Sequence, residues 1–128
     1  VATLHVNGTI GGIGPYLNLS DSRVKTNILL VANALTGILQ LQPVSYDWKR
    51  EAYPQFNFDD KRQIGFLAQE LAKIFPEAVT RGSDGFYTIS YSTLIPVVVQ
   101  GMKEQLQQID ELKKIINDLK KEILSNKK

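Results

Sequence analysis

The sequence predicts an α+β fold, in which a small mixed globular domain of short strands and helices is followed by one long C-terminal helix. Three observations carry this. Val44, Tyr46 and Trp48 alternate with polar residues, and two further short apolar runs follow near residues 63–66 and 86–89, which is the two-residue period of short strands. Leu67, Leu71, Ile74 and Phe75 share one helical face and stop at Pro76. From about Ser92 onward the apolar residues fall into a seven-residue repeat.

The N-terminal stretch is short and rich in glycine. Leu4, Val6 and Ile10 alternate as in a short strand, and Gly8, Gly11, Gly12, Gly14 and Pro15 then interrupt regular structure. The glycines do not make a phosphate loop, because no Gly-Lys-Ser/Thr follows them. Ile28 to Leu35 is a continuous apolar run, read as a strand edge near 26–29 and a helix near 30–38 that closes near Gly37. Gln42 to Lys49 is a strand. Residues 50–62, with Pro54 and the Asp59-Asp60 pair, form a loop. Without further ligands, two aspartates are a solvated loop rather than a metal site. Gln63 to Phe66 is a short strand and Leu67 to Phe75 a helix. Ala78 to Thr80 and Phe86 to Ile89 make a hairpin across Arg81-Gly82-Ser83-Asp84-Gly85. The aromatics of this region read as core.

The terminal helix carries Ile95, Met102, Ile109, Ile116 and Ile123 in one heptad register and Val98, Gln105, Leu112 and Leu119 three residues further on. Pro96 is compatible only with the first turn. Leu106 and Ile115 widen the seam. One helix cannot hide such a surface, so the repeat implies a coiled coil. The Ile/Leu pattern leans to two strands, and the flanking apolar residues to a higher state.

Composition narrows the function. At 128 residues the chain is one domain with a modest core. Its 43% hydrophobic and 22% charged residues are ordinary for soluble proteins. A net charge of +2 is too small to argue for nucleic acid, and the basic excess sits at Lys120, Lys121, Lys127 and Lys128, read as solvated. The absence of cysteine excludes disulfides, thiolate metal sites and a cysteine nucleophile. His5 is the only histidine and lies in the leader, which argues against a serine–histidine triad. No apolar run approaches the roughly 18 residues of a membrane span, and the first residues lack a basic-then-apolar signal pattern. The expectation is no cofactor, no metal, no membrane and no nucleic-acid partner.

One stretch, Leu19 to Ile28, concentrates chemistry: Ser20, Asp21, Ser22, Arg23, Lys25 and Asn27 stand within ten residues. A polar turn explains serines and aspartates without any reaction. A serine–lysine dyad of Ser20 and Lys25 is the sharper reading. A lysine base must be neutral, which calls for burial or a neighbouring cation, and Arg23 is close in sequence. Residues five apart lie on opposite faces of a strand and roughly 140° apart on a helix, so the dyad requires a turn between them or a lysine from another chain. Ser22 with Lys25 is the competing pair, because i,i+3 suits a helix.

Four motifs in order complete the picture: Ser20-Asp21-Ser22-Arg23-Val24-Lys25-Thr26-Asn27-Ile28; Pro43-Val44-Ser45-Tyr46-Asp47-Trp48-Lys49; Ile64-Gly65-Phe66-Leu67-Ala68-Gln69-Glu70-Leu71 with Phe75-Pro76-Glu77-Ala78-Val79; and Ile89-Ser90-Tyr91-Ser92-Thr93-Leu94-Ile95-Pro96. Together they resemble the C-terminal intramolecular chaperone, auto-processing domain of phage tailspikes and endosialidases, over roughly residues 19 to 125. The resemblance implies a homotrimer held by the terminal coiled coil, with Met102, Ile109, Leu112, Ile116, Leu119 and Ile123 in the seam. It implies a partner in the fibre segment of the same chain, with residues 1–20 as its end, 21–91 as the chaperone domain and 92–128 as the coiled coil. It also implies autoproteolysis between Ser20 and Asp21, with Ser20 as nucleophile, Lys25 as base and Asn27 or backbone N–H groups at the oxyanion. The domain would be made in the host cytoplasm as part of a virion precursor and released after the cut. An ester route and direct attack of water both stay open, as does a tip or coiled-coil adaptor that never cleaves.

Overall fold

The structure, a computed structural model, describes residues 4–127. Lys128 lies outside them. The elements in order are α1 (Ala34–Gln40), β1 (Val44–Tyr46), β2 (Gln63–Gly65), α2 (Ala68–Leu71), β3 (Val79–Arg81), β4 (Tyr87–Ile89) and α3 (Leu94–Asn126), with short 3-10 turns between them. β1 and β2 form one antiparallel pair, in which Ser45 faces Ile64. β3 and β4 form another, in which Thr80 faces Thr88. The α+β class, the two short-strand regions, the hairpin and the long terminal helix are as the sequence predicts.

The core sits between the hairpin, α2 and the start of α3. Leu71, Ala78 and Leu94 are buried, and Leu41, Phe66, Phe75, Val79 and Ile89 pack around them. Pro76 ends the α2 region and begins a 3-10 turn to Ala78, whose carbonyl accepts from the Ser90 amide at 2.8 Å. Tyr91 closes the same layer: its hydroxyl accepts from the Phe66 amide at 3.0 Å. The loop between β1 and β2 is held differently. Arg62 donates to Ser45 Oγ at 2.9 Å and to Asp47 at 2.6 Å. Trp48 stacks on Phe58 with centroids 4.2 Å apart, and Phe86 meets Phe56 edge-on at 5.1 Å. These aromatics build a half-exposed cluster of their own beside the aliphatic core. Asp59 turns inside the exposed loop, accepting from the Lys61 amide and the Gln63 side chain.

Four expectations need correction. Leu4 to Ile10 forms no strand in this single chain, since no neighbouring strand offers it a ladder. The run 28–32 likewise forms neither the strand edge nor the helix start expected over 26–38, and the helix starts at Ala34. Asn27 and Asn33, with φ 52° and 55°, bracket that run with left-handed residues that a helix cannot contain. The third correction is the helix expected over 67–75, which shortens to Ala68–Leu71 and continues as turns. Finally, Leu67, expected on its buried face, is exposed.

α1 and α3 meet in the closest helix contact of the fold. Gly101 on α3 lets the backbone of Leu35 and the side chain of Ile38 approach, and Gly37 on α1 lies against the ring of Phe75. Neither glycine suits a helix interior by propensity. Gly101 is required by this approach, and Gly37 by the Phe75 ring packed on α1. The first turn of α1 lacks a local side-chain cap. Glu104 supplies one from α3: its carboxylate accepts from the Leu35 amide at 2.7 Å and the Ala34 amide at 3.2 Å, with Gln100 donating to it at 3.3 Å. These bonds, chiefly the one from Leu35, hold the Glu104 carboxyl below its ordinary value.

Truncating the most buried large side chain, Leu71→Ala, should destabilise the domain by about 2–5 kcal/mol; a neutral result in a denaturant melt would place the core elsewhere. The Glu104 cap is a pH effect with a definite sign. A depressed carboxylate stabilises above its unfolded value and loses that stabilisation as pH falls through the folded one. Glu104→Gln should therefore melt below the parent at neutral pH, and the gap should close as pH falls below the ordinary 4.5; a gap independent of pH would show that the charge contributes nothing.

Candidate active site

Ser22–Val24 is a single 3-10 turn, and Asp21 is its N-cap. The Asp21 carboxylate accepts from the Arg23 amide at 2.9 Å and from the Arg23 guanidinium at 3.0 and 2.7 Å. That ion pair, then the amide bond, holds the Asp21 carboxyl below its ordinary range and raises Arg23. The turn is closed by the Val24 and Lys25 amides donating to the carbonyls of Asp21 and Ser22, at 3.2 and 3.1 Å.

The consequence is geometric. Asp21 and Lys25 are both extended, so two arms leave one tight turn. Residues that a strand or helix would separate are brought side by side: Lys25 Nζ donates to Ser20 Oγ at 2.7 Å. Ser22, the competing partner, meets Lys25 through its backbone carbonyl. The cation proposed to tune the lysine is engaged elsewhere, because Arg23 is paired with Asp21. Ser20 and Lys25 are both exposed in the single chain. Asn27 stands at a left-handed kink two residues past Lys25, and its side chain makes no hydrogen bond among the described residues. Sequence reasoning missed the Asp21–Arg23 clamp. Its signal was present in Asp-x-Arg, an N-cap residue followed two positions later by a base that the turn folds back onto it.

The seam residues Met102, Ile109, Leu112, Ile116, Leu119 and Ile123 lie along one side of α3 and are 42 to 64% exposed. Upstream of them an apolar hollow opens between α1, Phe66, Phe75 and Tyr91, bordered on α3 by Ile95 and Val98. Among the described residues, no group of three or more His, Cys, Asp or Glu gathers as a metal site, and no helix is long and apolar enough to cross a membrane.

A small α+β domain, a long helix with an uncovered apolar seam, and a serine–lysine contact on a capped turn define a class: a domain with a hydroxyl and an amine in hydrogen-bonding contact beside its own backbone. A family model described as the chaperone of endosialidase, and named for a peptidase family, matches residues 20–80. The match begins at Ser20, covers the turn, α1, the β1–β2 pair and α2, and ends within β3. The chain is also similar to the long tail fiber protein Gp37 of Enterobacteria phage Ox2, 32% identical over 123 residues, covering 88% of this chain and 48% of that protein. A protein of the same name from Enterobacteria phage M1 is 34% identical over 123 residues, with the same shares. The chain thus spans about half the length of these curated relatives.

Proposed function

We propose that this chain is an intramolecular chaperone of a phage fibre. It assembles as a homotrimer through α3, directs the folding of the fibre segment that precedes it, and releases itself by cutting its backbone between Ser20 and Asp21. The chaperone of endosialidase match and the phage tail fibre relatives support the chaperone role and a virion-associated setting. The observation that carries the proteolytic step is the 2.7 Å contact between Lys25 Nζ and Ser20 Oγ.

The chemistry runs as follows. Neutral Lys25 takes the proton of the Ser20 hydroxyl. The oxygen attacks a peptide carbonyl and forms a tetrahedral oxyanion, steadied by backbone N–H groups or by Asn27. Collapse breaks the C–N bond, the Lys25 ammonium returns its proton to the leaving amine, and an ester forms. Water then hydrolyses the ester and restores the serine. Which carbonyl is attacked decides the product. A serine oxygen reaches the carbonyl of the preceding residue, Leu19, through a five-membered ring. Its own carbonyl is accessible only through a strained four-membered one. A cut at Ser20–Asp21 therefore uses the Ser20 oxygen of a neighbouring copy, or a water activated by the pair. Holding the groups in place replaces a large part of the barrier. An amine open to solvent is a poor base at neutral pH, so the site becomes competent only when assembly of three chains covers it.

A panel on a chain extended N-terminally tests this. The parent should yield a fragment beginning at Asp21. Ser20→Ala should block the cut and keep the oligomer. Lys25→Met should do the same, since it keeps the stem without the amine, and so should Lys25→Arg, whose guanidinium stays protonated. Ser22→Ala should still cleave. Cleavage in Ser20→Ala, or its loss only in Ser22→Ala, would overturn the assignment. An uncut parent would make this domain a permanent tip or a coiled-coil adaptor. A fragment beginning at Ser20 would mark attack on Leu19.

A further inference from the structure

α3 presents two stripes, and the fold uses only one. Leu94 enters the core and Gly101 and Glu104 meet α1; these and Val97 are buried or half-buried, while Ile95, Val98, Met102 and Gln105 beside them are exposed. The globular body therefore sits to one side of the heptad seam and leaves it open from Ile95 to Ile123. With Ile95 at the first core position, every core position of that span is apolar except Gln105. It falls next to Glu104, at the level where the body ends and the free part of the helix begins.

The flanking charges select the partner and its direction. Lys113, Lys120 and Lys127 occupy one flank of the seam, and Gln108, Ile115 and Glu122 the other. In a parallel pair the two flanks face each other, so Glu122 of one copy meets Lys127 of the next. In an antiparallel pair each flank faces itself, and lysine is set against lysine. Like charges held opposite each other disfavour that arrangement.

We infer that, where α3 of several copies packs in parallel on the trimeric reading above, Gln105 is the residue that fixes their register. In register, the amides of Gln105 from all copies share one layer, where each carbonyl accepts and each NH2 donates. A slip of one heptad sets each amide against Val98 or Leu112 and leaves it desolvated without a partner. An apolar residue at this position would make a more stable but less selective seam. The same layer holds the globular bodies, fixed to α3 by Glu104 and Gly101, at one height around the axis. The inference takes the number of helices from the trimeric reading above; the register argument holds for any parallel number.

The chain has no cysteine, so a single Asn126→Cys at the far end of α3 reports direction and register cleanly. Under mild oxidation this variant should form covalent pairs up to the two chains in three that a trimer with one cysteine per chain can join, with one oligomer size by sedimentation. Adding Gln105→Leu should raise the melting temperature while lowering crosslinking below that level or producing mixed oligomer sizes, and Gln105→Asn should keep both close to the parent. Three results would overturn the inference: a monomeric chain, association without the Asn126→Cys crosslink, or a Gln105→Leu chain that stays single-sized and crosslinked to the same extent as the Asn126→Cys variant alone. Scoring the cut on N-terminally extended versions separates this inference from the proteolytic reading. Crosslinking without a cut removes the latter alone, and a cut without crosslinking removes the former alone.

Discussion

The contact between α1 and α3 is the constraint on which the rest of the molecule depends. Gly101 lets the two helices touch at the backbone, and Glu104 completes the hydrogen bonds of the first turn of α1. α1 has only seven residues and no local cap, too short to be stable alone. Its existence therefore rests on α3. This contact also decides which side of α3 is spent inside the chain. Because α1 takes the side of α3 that carries Gly101 and Glu104, the heptad seam stays free. The chain folds as a body beside a helix rather than a body around one.

The turn at Asp21–Lys25 belongs to a different regime. It buries nothing and is held by local hydrogen bonds and one exposed ion pair, an interaction worth little in water. Such a turn sets geometry cheaply and leaves Ser20 and Lys25 open to solvent. Pair geometry is thus local, whereas the proposed reactivity is assigned to the assembled chains. The run from Ile28 to Val31, exposed and without a strand partner, connects the two regimes. Its apolar side chains are covered by nothing in the single chain, as are those of the seam.

Much of this was legible in the sequence. Short alternating runs gave the strand pairs, because a two-residue period needs no knowledge of the partner. The heptad gave the long helix for the same reason. The need for a turn between Ser20 and Lys25 followed from residue spacing alone, and the 3-10 turn supplies it. What was not legible depends on contacts distant in sequence. The start of α1 is set by Asn33 and by a carboxylate from Glu104, 70 residues from Ala34. Apolar continuity through Ile28 to Leu35 could not reveal it. The aromatic residues of the 48–58 loop and Phe86 looked like core, yet they gather at the tip of the hairpin, because their polar neighbours keep the loop at the surface. Leu67 carried a helical spacing without a buried position, because the helix begins after it.

The central claim is that a locally formed Ser20–Lys25 pair gains its reactivity from assembly. The most direct test is intact mass spectrometry of an N-terminally extended chain diluted from denaturant over a range of protein concentrations. The account predicts a fragment beginning at Asp21 whose rate of appearance rises steeply with concentration and levels off once assembly is complete. A fragment formed at the same rate at every concentration would contradict it, as would a chain that assembles fully and is never cut.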